Sequence, residues 1–146
     1  MKVMVMVQFH GADEDKLEPT PEAFAAMGAY NEELVKAGIM LDGNGLLPSA
    51  TGARVVFQGG TTSVVDGPFT ESKELIGGYW IWEVDSLEEA VEWARRCPSD
   101  PASGVRSSLE IRQIAEAEDF GDAYTPEQQE RDVRIAEEIR SQHPAA

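Results

Sequence analysis

One cysteine, two histidines and 12 basic residues are what this sequence has least of. Cys97 has no partner in the chain, so an internal disulfide is excluded. Two histidines and a single cysteine supply no recognisable zinc-ligand spacing, and no metal or cofactor is expected. Set against 27 Asp and Glu, the few Lys and Arg leave a formal net charge of −15. A surface this acidic repels phosphate backbones and anionic lipid, which argues against nucleic acid and membranes as partners. Long hydrophobic runs are missing too: none approaches the roughly 20 apolar residues a membrane helix needs. The apolar start, Met1-Lys2-Val3-Met4-Val5-Met6-Val7, is too short for a secretion signal, and no small-residue cleavage site follows it. The expectation is a cytoplasmic protein.

What is present suits one folded domain. Hydrophobic residues make up 42% and charged residues 27% of 146 positions, long enough to bury a core without staples. Residues 2–9 alternate Val3, Val5, Val7 and Phe9 against Met4, Met6, Gln8 and His10. Both sets begin apolar, as in a central strand covered on two faces. After a polar, acidic loop, Thr20-Pro21 is a helix start, and Phe24, Met27, Asn31, Leu34 and Val35 follow at helical spacing up to Gly38. A second strand begins at 39–41, before the glycine-rich segment 42–48. Runs 54–58 and 61–65 flank Gly59-Gly60, the pattern of a hairpin with a primed turn. Residues 76–84 form an aromatic strand with Tyr79, Trp80 and Trp82. Ser86 and Glu89 make a capping box, and Leu87, Ala90, Val91 and Ala94 give the second helix its apolar stripe. Residues 107–114 read as the last strand.

From residue 115 the composition changes. Residues 115–146 hold nine acidic and three basic residues, a net of −6. Thr125-Pro126 with Gln128 starts a third helix to about Gln142, whose stripe of Val133, Ala136 and Ile139 is thin. The expected organisation is one domain over 1–115 and an acidic helical extension over 116–146.

Without its inserted hairpin the element order is βαββαβ, the ferredoxin-like α+β unit, in which both helices cover one face of an antiparallel sheet. If Val3, Val5, Val7 and Phe9 face the helices with Leu109 and Ile111, then Met4, Met6, Gln8 and His10 share the open face with Ser108, Glu110, Arg112 and Ile114. Two such faces packed together would bury the methionines around a partly polar cavity. Patterning therefore predicts a homodimer. The parity of the aromatic strand stays ambiguous: Trp80 and Trp82 point either to the helices or to the partner.

Asp66-Gly67-Pro68-Phe69, followed by Thr70-Glu71-Ser72-Lys73-Glu74 and Gly77-Gly78-Tyr79, resembles the signature of the DGPF branch of the bacterial YCII-related proteins. Tyr30, Glu33-Leu34, Gly38 and Gly45-Leu46 with Pro48 add to the likeness, which spans roughly residues 1–115. The resemblance implies a ferredoxin-like dimer of the α/β-barrel type. It implies no settled activity. The family is suspected of enzymatic function because some members carry a His/Asp pair in a cleft, and DGPF-branch proteins often accompany extracytoplasmic-function sigma factors. The histidine expected on the first helix is absent here, since residues 21–37 contain none.

The candidate chemistry is sparse. Asp66 reads either as a turn-capping carboxylate or as a general base beside a cavity. His10 ends the first strand on the cavity face, either as a hydrogen-bonded structural group or as an acid/base partnered by Asp66, Glu110 or Asp42. Arg112 and Lys73 are candidates for an anionic substrate group or an oxyanion, against ion pairing with Glu71, Glu74 or Glu110. Tyr79 and Tyr30 could line a pocket or fill the core. No phosphate-binding loop, dinucleotide fingerprint or Ser/His/Asp set is present. Three functions fit: a dimeric small-molecule binding module with a cavity between sheets, a cofactor-independent acid/base isomerase or lyase using His10 and Asp66, or a regulatory protein whose acidic tail docks a partner such as a sigma factor.

Overall fold

The computed structural model describes residues 1–145. Strand β1 (Lys2–Phe9) leads through a 3-10 turn (Gly11–Lys16) to helix α1 (Pro21–Lys36), then to β2 (Met40–Gly45) and a second 3-10 turn (Ser49–Thr51). Strands β3 (Ala53–Gln58), β4 (Thr61–Asp66) and β5 (Leu75–Glu83), helix α2 (Leu87–Arg95) and β6 (Ser107–Gln113) follow, with α3 (Pro126–Gln142) beyond them. The sequence signals explain the boundaries. Thr20 Oγ accepts from Ala23 N at 3.1 Å and starts α1. Ser86 Oγ accepts from Glu89 N at 3.1 Å and starts α2. Glu89 reaches back past the cap, accepting from Asp85 N at 2.9 Å. Gly59 and Gly60 have φ of 57° and 79°, so the β3–β4 hairpin turns through two left-handed residues, as a primed turn requires.

The main sheet has the order β2-β5-β1-β6, and every neighbouring pair is antiparallel. This is the ferredoxin-like α+β arrangement, with β3–β4 inserted as a separate two-stranded sheet. Register assigns the faces. Val3 lies opposite Trp82, and Val5 lies between Trp80 and Ile111. Trp80 and Trp82 therefore point toward the helices, where they join Val3, Val5, Tyr30, Leu34 and Ala90 in one buried cluster. Trp80 Nε1 donates to Asn31 Oδ1 at 2.9 Å, which ties the strand to α1. Tyr30 donates to Trp93 O at 2.6 Å, which ties α1 to α2.

Three features depart from the sequence reading. Residues 42–45 of the glycine-rich segment belong to β2 itself, where Gly43 lies under Trp80 and a Cβ would meet that indole at 2.8 Å. The buried side of α1 is carried by Tyr30 and Leu34, while Phe24 (69%) and Val35 (60%) are exposed. Pairing also shifts register where Gln8 meets β5, so Val7 faces Gly78 but Gln8 faces Ile76, leaving Gly77 as a bulge.

The opposite face of the sheet carries Met4, Met6, Tyr79, Ile81 and Ile76, ringed by Ser108, Glu110, Arg112 and Asn44. None of these joins the helix-side cluster. The hairpin is apolar on both sides: Val55 and Phe57 on one, Val56 and Val65 on the other, all exposed. The chain divides into two compact units, Met1–Gln113 and a second beginning at Ile114. In the second unit Tyr124 donates a hydrogen bond to Asp132, and Val133, Ile135 and Ile139 of α3 are exposed. Among the described residues, no helix is long and apolar enough to cross a membrane.

Candidate ligand cleft

The ends of β2 and β5, the start of β3 and the loop after β4 enclose a cleft of about 670 Å³ in the first unit. Leu46, Leu47, Leu75 and Ile76 make its walls apolar, while Phe69 and Arg54 close one side. Leu46 N donates to Gly77 O at 3.0 Å, which extends the β2–β5 pairing past the strand end and sets the leucines beside β5. Ile76 lies on the open sheet face by register, so the cleft is continuous with that face.

A hydrogen-bonded knot of three loops holds the cleft open. Glu14, from the first 3-10 turn, accepts from Ser49 N at 2.5 Å and from Ser49 Oγ at 2.6 Å. Ser49 Oγ in turn accepts from Phe69 N at 3.0 Å. Gly11 N donates to Ser72 O at 2.9 Å, and Gly67 N donates to Gly52 O at 3.0 Å. Hydrogen bonds to a carboxylate contribute roughly 1.5–3 kcal/mol each, so Glu14 is a strong pin. The knot explains the glycine of Asp66-Gly67-Pro68-Phe69: a Cβ at Gly67 would lie 1.7 Å from Ser49 O. Gly67 does not have positive φ, so lack of space requires the glycine there, and not the left-handed backbone that turn chemistry suggests.

Phe69 then presents its ring to Arg54, whose guanidinium carbon lies 3.9 Å from the ring centroid. Arg54 Nη2 donates to Ser72 Oγ at 3.4 Å. Among the described residues no carboxylate lies within ion-pair distance of Arg54, although Glu14 and Glu74 line the same cleft. Both oxygens of Glu14 are committed to Ser49.

The residues singled out from sequence lie elsewhere. His10 is exposed, and its Nδ1 accepts from Ala12 N at 3.1 Å, capping the first 3-10 turn. Asp66 is exposed at the end of β4, and its carboxylate accepts no hydrogen bond among the described residues. No hydrogen bond or ion pair there joins His10 to Asp66, Glu110 or Asp42. On the open face, Arg112 pairs with Glu110 at 3.6 Å, and Tyr79 Oη accepts from Asn44 Nδ2 at 3.1 Å. Lys73 is exposed in the loop before β5. None of these six lines the cleft. Sequence reasoning missed Arg54, Glu14 and Ser49. Arg54 was legible only as a hairpin residue, and nothing in local spacing brings position 14 to position 49. Among the described residues no group of His, Cys, Asp and Glu could hold a metal ion.

Cys97 lies away from the cleft, packed against the helix-side core. Burial pushes its thiol up to about 11. Burial, then the neighbouring Cys97, pushes the Tyr30 phenol above its ordinary value. A raised pKa on an acid favours the folded state while the group stays protonated. The thiol's contribution is thus fully present below about 8.5, its ordinary value, and is lost as pH climbs toward about 11. Alkylation of Cys97 by iodoacetamide is accordingly expected to be slow at neutral pH. Its rate should rise along a titration centred near 11. A midpoint at the ordinary thiol value would contradict the burial.

The model of the YCII-related domain matches residues 1–118. An uncharacterized protein of Rhizobium meliloti (strain 1021) is 33% identical over 90 residues, which cover 61% of this chain and 70% of that protein. Among solved structures, 5-chloro-2-hydroxyhydroquinone dehydrochlorinase from Burkholderia phenoliruptrix, in complex with 2,5-dihydroxybenzoquinone, aligns with a TM-score of 0.42 at 20% identity. That alignment covers 81% of this chain and 97% of the dehydrochlorinase.

Proposed function

The chain belongs to the YCII-related family, and from that premise we propose that it is a small-molecule binding module that works as a homodimer. The observation that carries the reading is the cleft: a volume of about 670 Å³ in which the side chains of Leu46, Leu47, Leu75 and Ile76 stand beside the polar groups of Glu14, Ser49, Thr51, Arg54 and Glu74, apolar wall with placed polar groups being the usual make-up of a ligand site. Its rigidity supports the same reading, because the Glu14–Ser49–Phe69 chain of hydrogen bonds fixes the loops before a ligand arrives. His10 supports a binding role over an acid/base one, since its Nδ1 lone pair is spent on the backbone.

The homodimer rests on partly exposed apolar surface that lies outside the helix-side core. Met4, Met6, Tyr79 and Ile81 form an apolar centre on the sheet face that α1 and α2 do not cover. A two-stranded hairpin is marginal by itself, and this one exposes valines on both sides. A second copy brought against these surfaces covers them and adds a wall to the cleft through Ile76.

Two measurements test the reading. In sedimentation, the unaltered protein is expected at twice the chain mass and Met6→Lys at the chain mass. A monomeric parent removes the dimer. Methyl-labelled protein titrated with a mixture of small organic fragments is expected to shift Leu46, Leu47, Leu75 and Ile76 ahead of other methyls. Shifts confined to other parts of the chain would remove the cleft as the ligand site.

A further inference from the structure

Resting on the ligand-cleft reading just given, the geometry points to a definite ligand class: a small monoanion with an apolar body, its carboxylate held by Arg54. Two contacts orient the exposed Arg54 toward the cleft. Its guanidinium lies against the Phe69 ring at 3.9 Å, and Phe69 is itself buried and pinned by Ser49 Oγ at 3.0 Å. The guanidinium carbon stands over the Phe69 ring, a contact that uses none of the N–H donors in a hydrogen bond. One donor reaches Ser72 Oγ at 3.4 Å. The others meet no carboxylate among the described residues, in a chain where acids outnumber bases 27 to 12.

The neighbours of Arg54 narrow the class. Leu46, Leu47, Leu75 and Ile76 offer apolar contact and no hydrogen bonds from their side chains, so the body of the ligand is apolar. Glu74 also lines the cleft, and it penalises a second negative charge. Arg54 is the single cation among the residues lining the cleft, which matches one carboxylate on the ligand and not two. A phosphate dianion would want further cations or a helix N-terminus, and neither lines this cleft. The net charge of −15 opposes any anion from afar, but that field is screened beyond about 8 Å at physiological salt. Inside the cleft the contact with Arg54 decides.

The test uses the full chain and three probes matched in body and differing in charge: benzoate, benzyl alcohol and phenyl phosphate, followed by the methyl shifts of Leu46, Leu47 and Ile76. Benzoate is expected to bind at least about tenfold tighter than benzyl alcohol, the size of effect a charge-assisted hydrogen bond gives. Phenyl phosphate is expected to bind no tighter than benzoate. Arg54→Met should bring benzoate down to the level of the alcohol, with Arg54→Lys between the two. The comparison of probes on the unaltered protein stands even where a variant fails to fold. Equal binding of benzoate and benzyl alcohol in the cleft, or tighter binding of phenyl phosphate, overturns the monoanion class and leaves the ligand cleft standing. Unchanged benzoate affinity in folded Arg54→Met overturns the role of Arg54. If no probe moves the cleft methyls, this inference and the ligand-cleft reading fall together.

Discussion

Trp82→Ala is expected to lower the stability of the first unit by about 3–5 kcal/mol, the usual cost of emptying a buried indole site. Trp82 is 0% exposed and the largest of the fully buried side chains. It lies opposite Val3 on one side and Met40 on the other, and its ring is 5.8 Å from that of Trp80. Removing it leaves a void that two strands and a helix cannot close without breaking pairing. Trp82→Phe should cost much less, under about 2 kcal/mol. The phenyl ring keeps most of the packing and removes the indole N–H, which has no hydrogen-bond partner among the described residues. Urea unfolding with an unchanged m-value measures both. An alanine variant within about 1 kcal/mol of the parent would show that this indole does not sit in the core.

Gly67→Ala is expected to cost about 3 kcal/mol or more, because the obstacle is backbone and cannot swing aside. The new Cβ would lie 1.7 Å from Ser49 O and 2.6 Å from Ser49 C. Either the turn after β4 or the Ser49–Thr51 turn must then move, and either motion strains the bonds from Ser49 to Glu14 and Phe69. Loss of cleft binding should accompany the loss of stability. Gly28→Ala is the control. Gly28 sits within α1 with nothing within 4 Å of its added Cβ, so alanine should gain roughly 0.5–1 kcal/mol from helix propensity. If the two substitutions behave alike in thermal unfolding, the close approach at Gly67 is refuted.

The α1 face illustrates why periodicity does not settle burial. Phe24 and Val35 fall near the apolar stripe, yet the sheet takes Met27, Tyr30, Asn31 and Leu34. Helical spacing offers two overlapping stripes, and only a partner surface selects between them. Tyr30 fits because Trp93 O accepts its hydroxyl and its ring meets Trp80 edge-on at 6.0 Å. The aromatic strand poses the same problem at period two. Its parity is undefined until β1 pairs with it, and the bulge at Gly77 then changes phase partway along. The candidate cleft was less legible still: it is built from contacts between loops, and the six residues chosen for their chemistry do not line it.

What the chain determines locally is the set of elements. Hydroxyl caps at Thr20, Ser86 and Thr125, paired glycines at the hairpin tip and the alternation in β1 each act over a few residues, so sequence alone places them. That order, with two helices for one face, also leaves Met4 and Met6 outside the helix-side core. The tertiary structure decided what lies between 14, 49, 54, 67 and 69: the Glu14 pin, the close approach at Gly67 and the stacking of Arg54 on Phe69. These contacts join residues up to 35 positions apart in the chain, a separation over which no local preference acts and only the closed sheet brings partners within reach.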